Sequence, residues 1–149
     1  MDDLNLSIRE AKPSDVLEIH EIEELSFSEP WSCDAISGAI SSIDNIVLVS
    51  ADENGIYGYL VLYTSLDEGE LMTIAVRPGY RGHGIGNMLI ESMKKEGKNR
   101  DLKYIFLEVR KSNESAKSLY KKNGFIAVGE RKNFYRFPTE DAIVGRLEL

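Results

Sequence analysis

Residues 73–86 read TIAVRPGYRGHGIG, and within them Arg77-Pro-Gly-Tyr-Arg-Gly-His-Gly-Ile-Gly86 places four glycines and two arginines between an apolar run and a helical one. Glycines at the start of a helix let successive backbone N–H groups converge on an anion, and the helix dipole adds partial positive charge there. A phosphate suits such a cradle. Two familiar phosphate loops do not fit. A P-loop ends in Gly-Lys-Ser/Thr, whereas Ile85, Gly86 and Asn87 follow Gly84. The dinucleotide fingerprint needs a third glycine where Asn87 stands, and it needs a parallel βαβ unit. The remaining pattern is Arg81-x-x-Gly84-x-Gly86.

The segments before the loop read as antiparallel strands. NIVLVSA and IYGYLVLYT are joined across Asn54-Gly55, a strong hairpin signal, and a second turn at Asp67-Glu68-Gly69 leads into ELMTIAV. Residues 45–77 are thus expected to form a three-stranded meander that feeds the glycine loop. After it, Ile85, Met88, Leu89, Ser92 and Met93 recur at helical spacing, with Lys94, Lys95 and Lys98 elsewhere on the helix and toward its C-terminus.

Farther out, LNLSIRE alternates Leu4, Leu6 and Ile8 as a strand, and Pro13 and Asp15 open a helix with Val16, Ile19, Ile22 and Leu25 as its stripe. A short helix is expected over Ser32–Ile43. KYIFLEV reads as a central strand covered on both faces, polar only at Glu108. SNESAKSLYKKNGF reads as a helix capped by Ser112 or Asn113 and stopped by Gly124, and FIAVGERKNFY and DAIVGRLEL supply two last strands. The expected fold class is α+β: a mixed, mostly antiparallel sheet of about seven strands with about four helices. It is expected to form one domain over residues 1–149.

Composition narrows the function classes. The 149 residues are 42% hydrophobic and 29% charged, with net charge -7 and pI near 4.9. That acidity disfavours nucleic-acid binding and favours a basic partner, although solubility alone would also account for it. No apolar run of about 18 residues exists to span a membrane, and MDDLNLSIRE is acidic where a secretory signal is basic and then apolar, so a cytoplasmic location is expected. Cys33, His20 and His83 offer neither a disulfide nor zinc spacing, so no metal is expected. Cys33 also lacks a histidine partner in its sequence neighbourhood, which disfavours a thiol nucleophile.

Glu108 stands out because a carboxylate among Ile105, Phe106, Leu107 and Val109 is costly to bury, and such a site would raise its pKa into the range of a working base. A strand-end glutamate paired with Arg110 is the alternative. Tyr120 lies one helical turn after Ala116 beside Leu119, which is equally the pattern of a core tyrosine.

The loop resembles the Arg/Gln-x-x-Gly-x-Gly/Ala segment of the GNAT acetyltransferases. The resemblance extends through PW at 30–31, LEVRKSNESAKSLYKKNGF at 107–125, RKNFY at 131–135 and EDAI at 140–143. Together these blocks are similar to the RimI branch, which acetylates the N-terminal alanine of protein eighteen of the small ribosomal subunit. The resemblance implies a GNAT fold and acetyl-coenzyme A as cosubstrate. Arg81, Gly82, His83, Gly84, Ile85, Gly86 and Asn87 would bind its pyrophosphate. Ile74, Ala75 and Val76 would offer main-chain groups to its acetyl and pantetheine portions, and Asn113 and Tyr120 would also contact it. Glu108 is implied as the base and Tyr120 as the acid in direct acetyl transfer. Phe27, Trp31, Phe134 and Tyr135 would surround the acceptor, a protein N-terminus followed by basic residues, and the enzyme would act as a monomer or weak dimer. The resemblance leaves open an archaeal-type N-terminal acetyltransferase, a small-molecule amine acetyltransferase and a noncatalytic coenzyme A-binding module.

Overall fold

The computed structural model describes residues 5–149, so Leu4 of the first expected strand lies outside the described residues. In chain order the elements are β1 (Ser7–Glu10), α1 (Val16–Ser26), α2 (Cys33–Ser41), β2 (Ile46–Asp52), β3 (Gly55–Ser65), β4 (Glu68–Val76), α3 (Ile85–Asn99), β5 (Tyr104–Arg110), α4 (Glu114–Lys122), β6 (Ile126–Tyr135) and β7 (Glu140–Glu148). A single 3-10 turn at Pro13–Asp15 leads into α1. The strands form one sheet in the order β1-β2-β3-β4-β5-β7-β6. Every neighbouring pair is antiparallel except β4 and β5, which run parallel because α3 carries the chain across the sheet between them.

Both meander turns fall one residue earlier than expected. Asp52 pairs with Gly55, leaving Glu53-Asn54 as the first turn, because the Asp52 carboxylate accepts the Asn54 N–H at 2.8 Å and closes the chain there. Ser65 pairs with Glu68, so the second turn is Leu66-Asp67. Of the two caps expected for α4, Asn113 is the one used: its Oδ1 accepts the Ala116 N–H at 3.1 Å. The second helix, expected over Ser32–Ile43, spans Cys33–Ser41, with the Ser32 hydroxyl capping it by accepting the Ala35 N–H at 3.1 Å.

One apolar cluster lies on the α3–α4 face, where Leu89, Ile90, Met93 and Tyr120 meet Leu60, Leu62, Ile105, Leu107 and Val109. A second lies on the α1–α2 face, where Ile19, Ile22, Ile36 and Ala39 meet Val47, Val49, Tyr59 and Val61. Met88 and Leu25, expected in the stripes, are exposed; Ile90 and Glu23 take the inward positions. Because α1 and α2 reach only across β2–β4, the expectation that β5 is covered on both faces is corrected. Ile105, Leu107 and Val109 are buried, while Tyr104, Phe106, Glu108 and Arg110 alternate onto a half-open face. Glu108 therefore stands at the border of the α1–α2 layer. Among the described residues no helix is long and apolar enough to cross a membrane.

Candidate active site

β4 and β5 pair only from Glu68–Tyr104 to Leu71–Leu107. Beyond that point the two parallel strands diverge, and the gap between their C-terminal ends is the centre of the site. Arg77 N–H donates to the Tyr57 carbonyl at 2.7 Å, which fixes the phase of hydrogen bonding between β3 and β4. By that alternation Ala75 turns its main-chain groups toward β3, and Ile74 and Val76 turn theirs toward the gap. The Val76 carbonyl accepts Arg81 Nε at 3.0 Å, whereas among the described residues no strand covers Ile74 on that side.

The glycine loop occupies one end of the gap. Gly84 caps α3 with φ +82°, a left-handed conformation that is strained for other residues, and a Cβ there would meet no atom within 4 Å. The first-turn N–H groups at Ile85, Gly86 and Asn87 have no intrahelical acceptors, as at any helix start. Gly86 has a different use: its Cβ would lie 3.1 Å from Leu119, so the glycine lets α3 approach α4. Arg81 ties the loop to the end of α1 by donating to the Ser26 hydroxyl at 3.1 Å.

A cleft of about 550 Å³ runs along this loop. Of the residues read from the sequence, Ile74, Ala75, Val76, Arg81, Gly82, Gly84, Ile85, Gly86, Asn87, Asn113 and Tyr120 line it, whereas His83 is exposed and lies outside the lining. The sequence reading missed Ser115, Leu119 and Lys122. They stand on one face of α4 with Ala116, a helical spacing counted from Asn113 that could have revealed them. A second cleft of about 360 Å³ opens on the other side of Tyr120 and is lined by Glu108, Phe27, Trp31, Thr73 and Tyr135. Tyr120, Asn113, Phe27 and Ile74 line both clefts, which places them at the junction. Phe134 lies outside both linings; it packs edge-on against Tyr135, with ring centroids 5.0 Å apart, and lies beneath Arg131.

The Glu108 side chain is 17% exposed, and its partner is Arg131, with Nε 3.2 Å from Oε1. Arg110, the alternative partner, instead binds Glu140 at 3.3 Å and stacks 4.5 Å over the Tyr135 ring. Burial pushes the Glu108 carboxyl up, the nearby Glu70 charge adds to this, and Arg131 opposes both. The Tyr120 phenol is pushed well above its ordinary value, chiefly by burial, and among the described residues its hydroxyl has no hydrogen-bond partner. Tyr135 is pushed up to about 12 by burial and the neighbouring Glu108 charge. A raised carboxyl thus shares a cleft with two phenols that remain protonated through neutral pH.

A left-handed glycine cap, a main-chain edge and a half-buried carboxyl beside a protonated phenol suit transfer of an acyl group from a phosphate-bearing carrier to an amine. The Acetyltransferase (GNAT) family matches residues 16–125. The chain is a GNAT acetyltransferase. This acetyltransferase is 35% identical to the ribosomal protein bS18-alanine N-acetyltransferase of Haemophilus influenzae, over 92% of this chain and 94% of that one. It is 31% identical to the Escherichia coli K12 enzyme of the same name, over 96% and 97% of the two chains. The crystal structure of the Escherichia coli ribosomal-protein-S18-alanine N-acetyltransferase matches with a TM-score of 0.89 at 28% identity, covering 96% of this chain and 93% of that one. The acetyltransferase shares its fold with Ard1 from Thermoplasma volcanium, at a TM-score of 0.90 and 22% identity over 98% and 99% of the chains.

Proposed function

We propose that the protein transfers acetyl from acetyl-coenzyme A to the N-terminal amine of a protein, with an N-terminal alanine of a small-subunit ribosomal protein as its acceptor. The observation that carries this reading is the meeting of two clefts at Tyr120, with Glu108 on the far side alone. The first cleft would hold the cosubstrate through the α3 N-terminus and the gap-facing main chain of Ile74 and Val76, and the open space over Gly84 fits that assignment. Bound there, acetyl-coenzyme A supplies the activated thioester.

The chain's own groups manage the protons. An α-amino group has a pKa of about 7.7–8.0, so near neutrality it must lose a proton before it can attack. Glu108, whose carboxyl burial pushes up, accepts that proton in its ionised form. Tyr120 keeps its own proton through neutral pH and donates it to the departing thiolate. Thr73, Trp31, Phe27 and Tyr135 surround the acceptor, and the net charge of -7 favours a peptide with basic residues behind its first amine.

Two measurements test this reading. Purified protein with acetyl-coenzyme A and a panel of acceptors should favour a peptide beginning with alanine and followed by basic residues over a free polyamine. Equal rates would overturn the protein-acceptor assignment. Gly84→Leu should weaken acetyl-coenzyme A binding by about tenfold or more in calorimetry, because its side chain would project into the open cradle. The left-handed backbone should cost only about 1–2 kcal/mol of stability. Unchanged affinity would remove the cradle assignment. Gly86→Leu is a poorer probe, since it would also press on Leu119.

A further inference from the structure

The loop between α1 and α2, residues 27–32, forms one wall of the second cleft through Phe27 and Trp31. Two side chains of α1 grip the main chain of Trp31 from the same helical face. Glu23 Oε1 accepts the Trp31 N–H at 2.9 Å, and His20 Nδ1 lies 2.9 Å from the Trp31 carbonyl. Glu23 is 1% exposed, and its other oxygen binds the hydroxyls of Thr73, at 2.7 Å, and Tyr59. One carboxyl thus links the loop to β3 and β4, on which Tyr59 and Thr73 stand. The Trp31 ring in turn rests edge-on against Tyr63, with centroids 5.9 Å apart. Burial pushes the Glu23 carboxyl up, and hydrogen bonds from Trp31 and Thr73 pull it back. Such a group is costly to bury and gives the core no apolar packing, so stability alone does not account for it.

We infer that Glu23 and His20 are positioning residues for acceptor binding: they fix both main-chain polar groups of Trp31 and so hold the α1–α2 loop at the width the acceptor needs. The inference rests on the assignment of the second cleft to the acceptor; Glu23 lines that cleft but commits both carboxylate oxygens to Trp31, Thr73 and Tyr59, and His20 lies outside the lining, so both act through the loop. The grip is one-sided. It acts on the acceptor wall and leaves the α3 N-terminus untouched.

The test is a split of kinetic constants, measured on the acceptor that the unmodified enzyme turns over fastest. Glu23→Ala should raise the acceptor KM by about tenfold, and His20→Ala by about threefold, with the acetyl-coenzyme A KM within about twofold for both. Glu23→Gln keeps an oxygen for the Trp31 N–H and should restore the acceptor KM to within about twofold of the unmodified value. A role confined to stability would lower the active fraction, and hence apparent kcat, without moving KM. Unchanged acceptor KM in Glu23→Ala and His20→Ala, or equal rises for acceptor and acetyl-coenzyme A, would overturn the inference. Should Glu23→Ala fail to fold by circular dichroism, the half-buried His20→Ala decides alone. Failure of the alanine-peptide reading would show separately, in the unmodified enzyme's choice of acceptor.

Discussion

Glu108→Gln is expected to lower kcat by about a hundredfold to a thousandfold, with acetyl-coenzyme A affinity unchanged within about twofold. The substitution keeps the shape of a side chain held between the second cleft and Arg131, and Glu108 does not line the first cleft. What it removes is a raised carboxyl of the second cleft that can take up a proton. The sign of the pH effect follows from the raised carboxyl: Glu108 accepts a proton only when ionised, so kcat should fall as pH drops through its elevated value. In Glu108→Gln that acid limb should disappear, leaving a low and flatter profile. A variant that kept both its rate and its acid limb would show that another group takes the proton. Glu23 is then next in line, as the other raised carboxyl lining that cleft.

Tyr120→Phe should lower kcat by about a hundredfold while leaving the melting temperature almost unchanged. The ring keeps its edge contact with Phe125, 5.8 Å between centroids, and among the described residues the lost hydroxyl leaves no hydrogen-bond partner behind. Few buried tyrosines could lose an oxygen so cheaply. That is the reason to regard this hydroxyl as held for a ligand rather than for the core. Unchanged turnover would transfer the acid role to Tyr135, whose phenol, at about 12, is also protonated and stands beside Glu108. The double variant with Tyr135→Phe would then carry the loss.

How much of this was legible in the sequence depends on the range of the interaction. The cap at Asn113, the glycine loop and the polar exception at Glu108 are local patterns, and each appears where the residues indicate. The first hairpin turn slips by one residue because the Asp52 carboxylate outcompetes the glycine signal, a contest between neighbours that pattern alone does not rank. Glu23 was missed although it lies four residues after Ile19 on the inward face of α1. In a sequence it is one more helix acid, and only the fold brings Tyr59, Thr73 and Trp31 to it. Arg131 was missed as the Glu108 partner for the same reason: β6 reaches β5 only through β7.

An open sheet ordinarily has two edges, here β1 and β6. By parting from β5 after Leu71, β4 gives this molecule a third, inside its own outline. Sheet edges are a hazard because they pair with any extended chain, and most proteins blunt them with charge or bulges. This one is guarded by its surroundings: residues of α3, α4 and the α1–α2 loop line the cleft beside it. A feature that would invite aggregation on the perimeter becomes, in the interior, a selective place to dock.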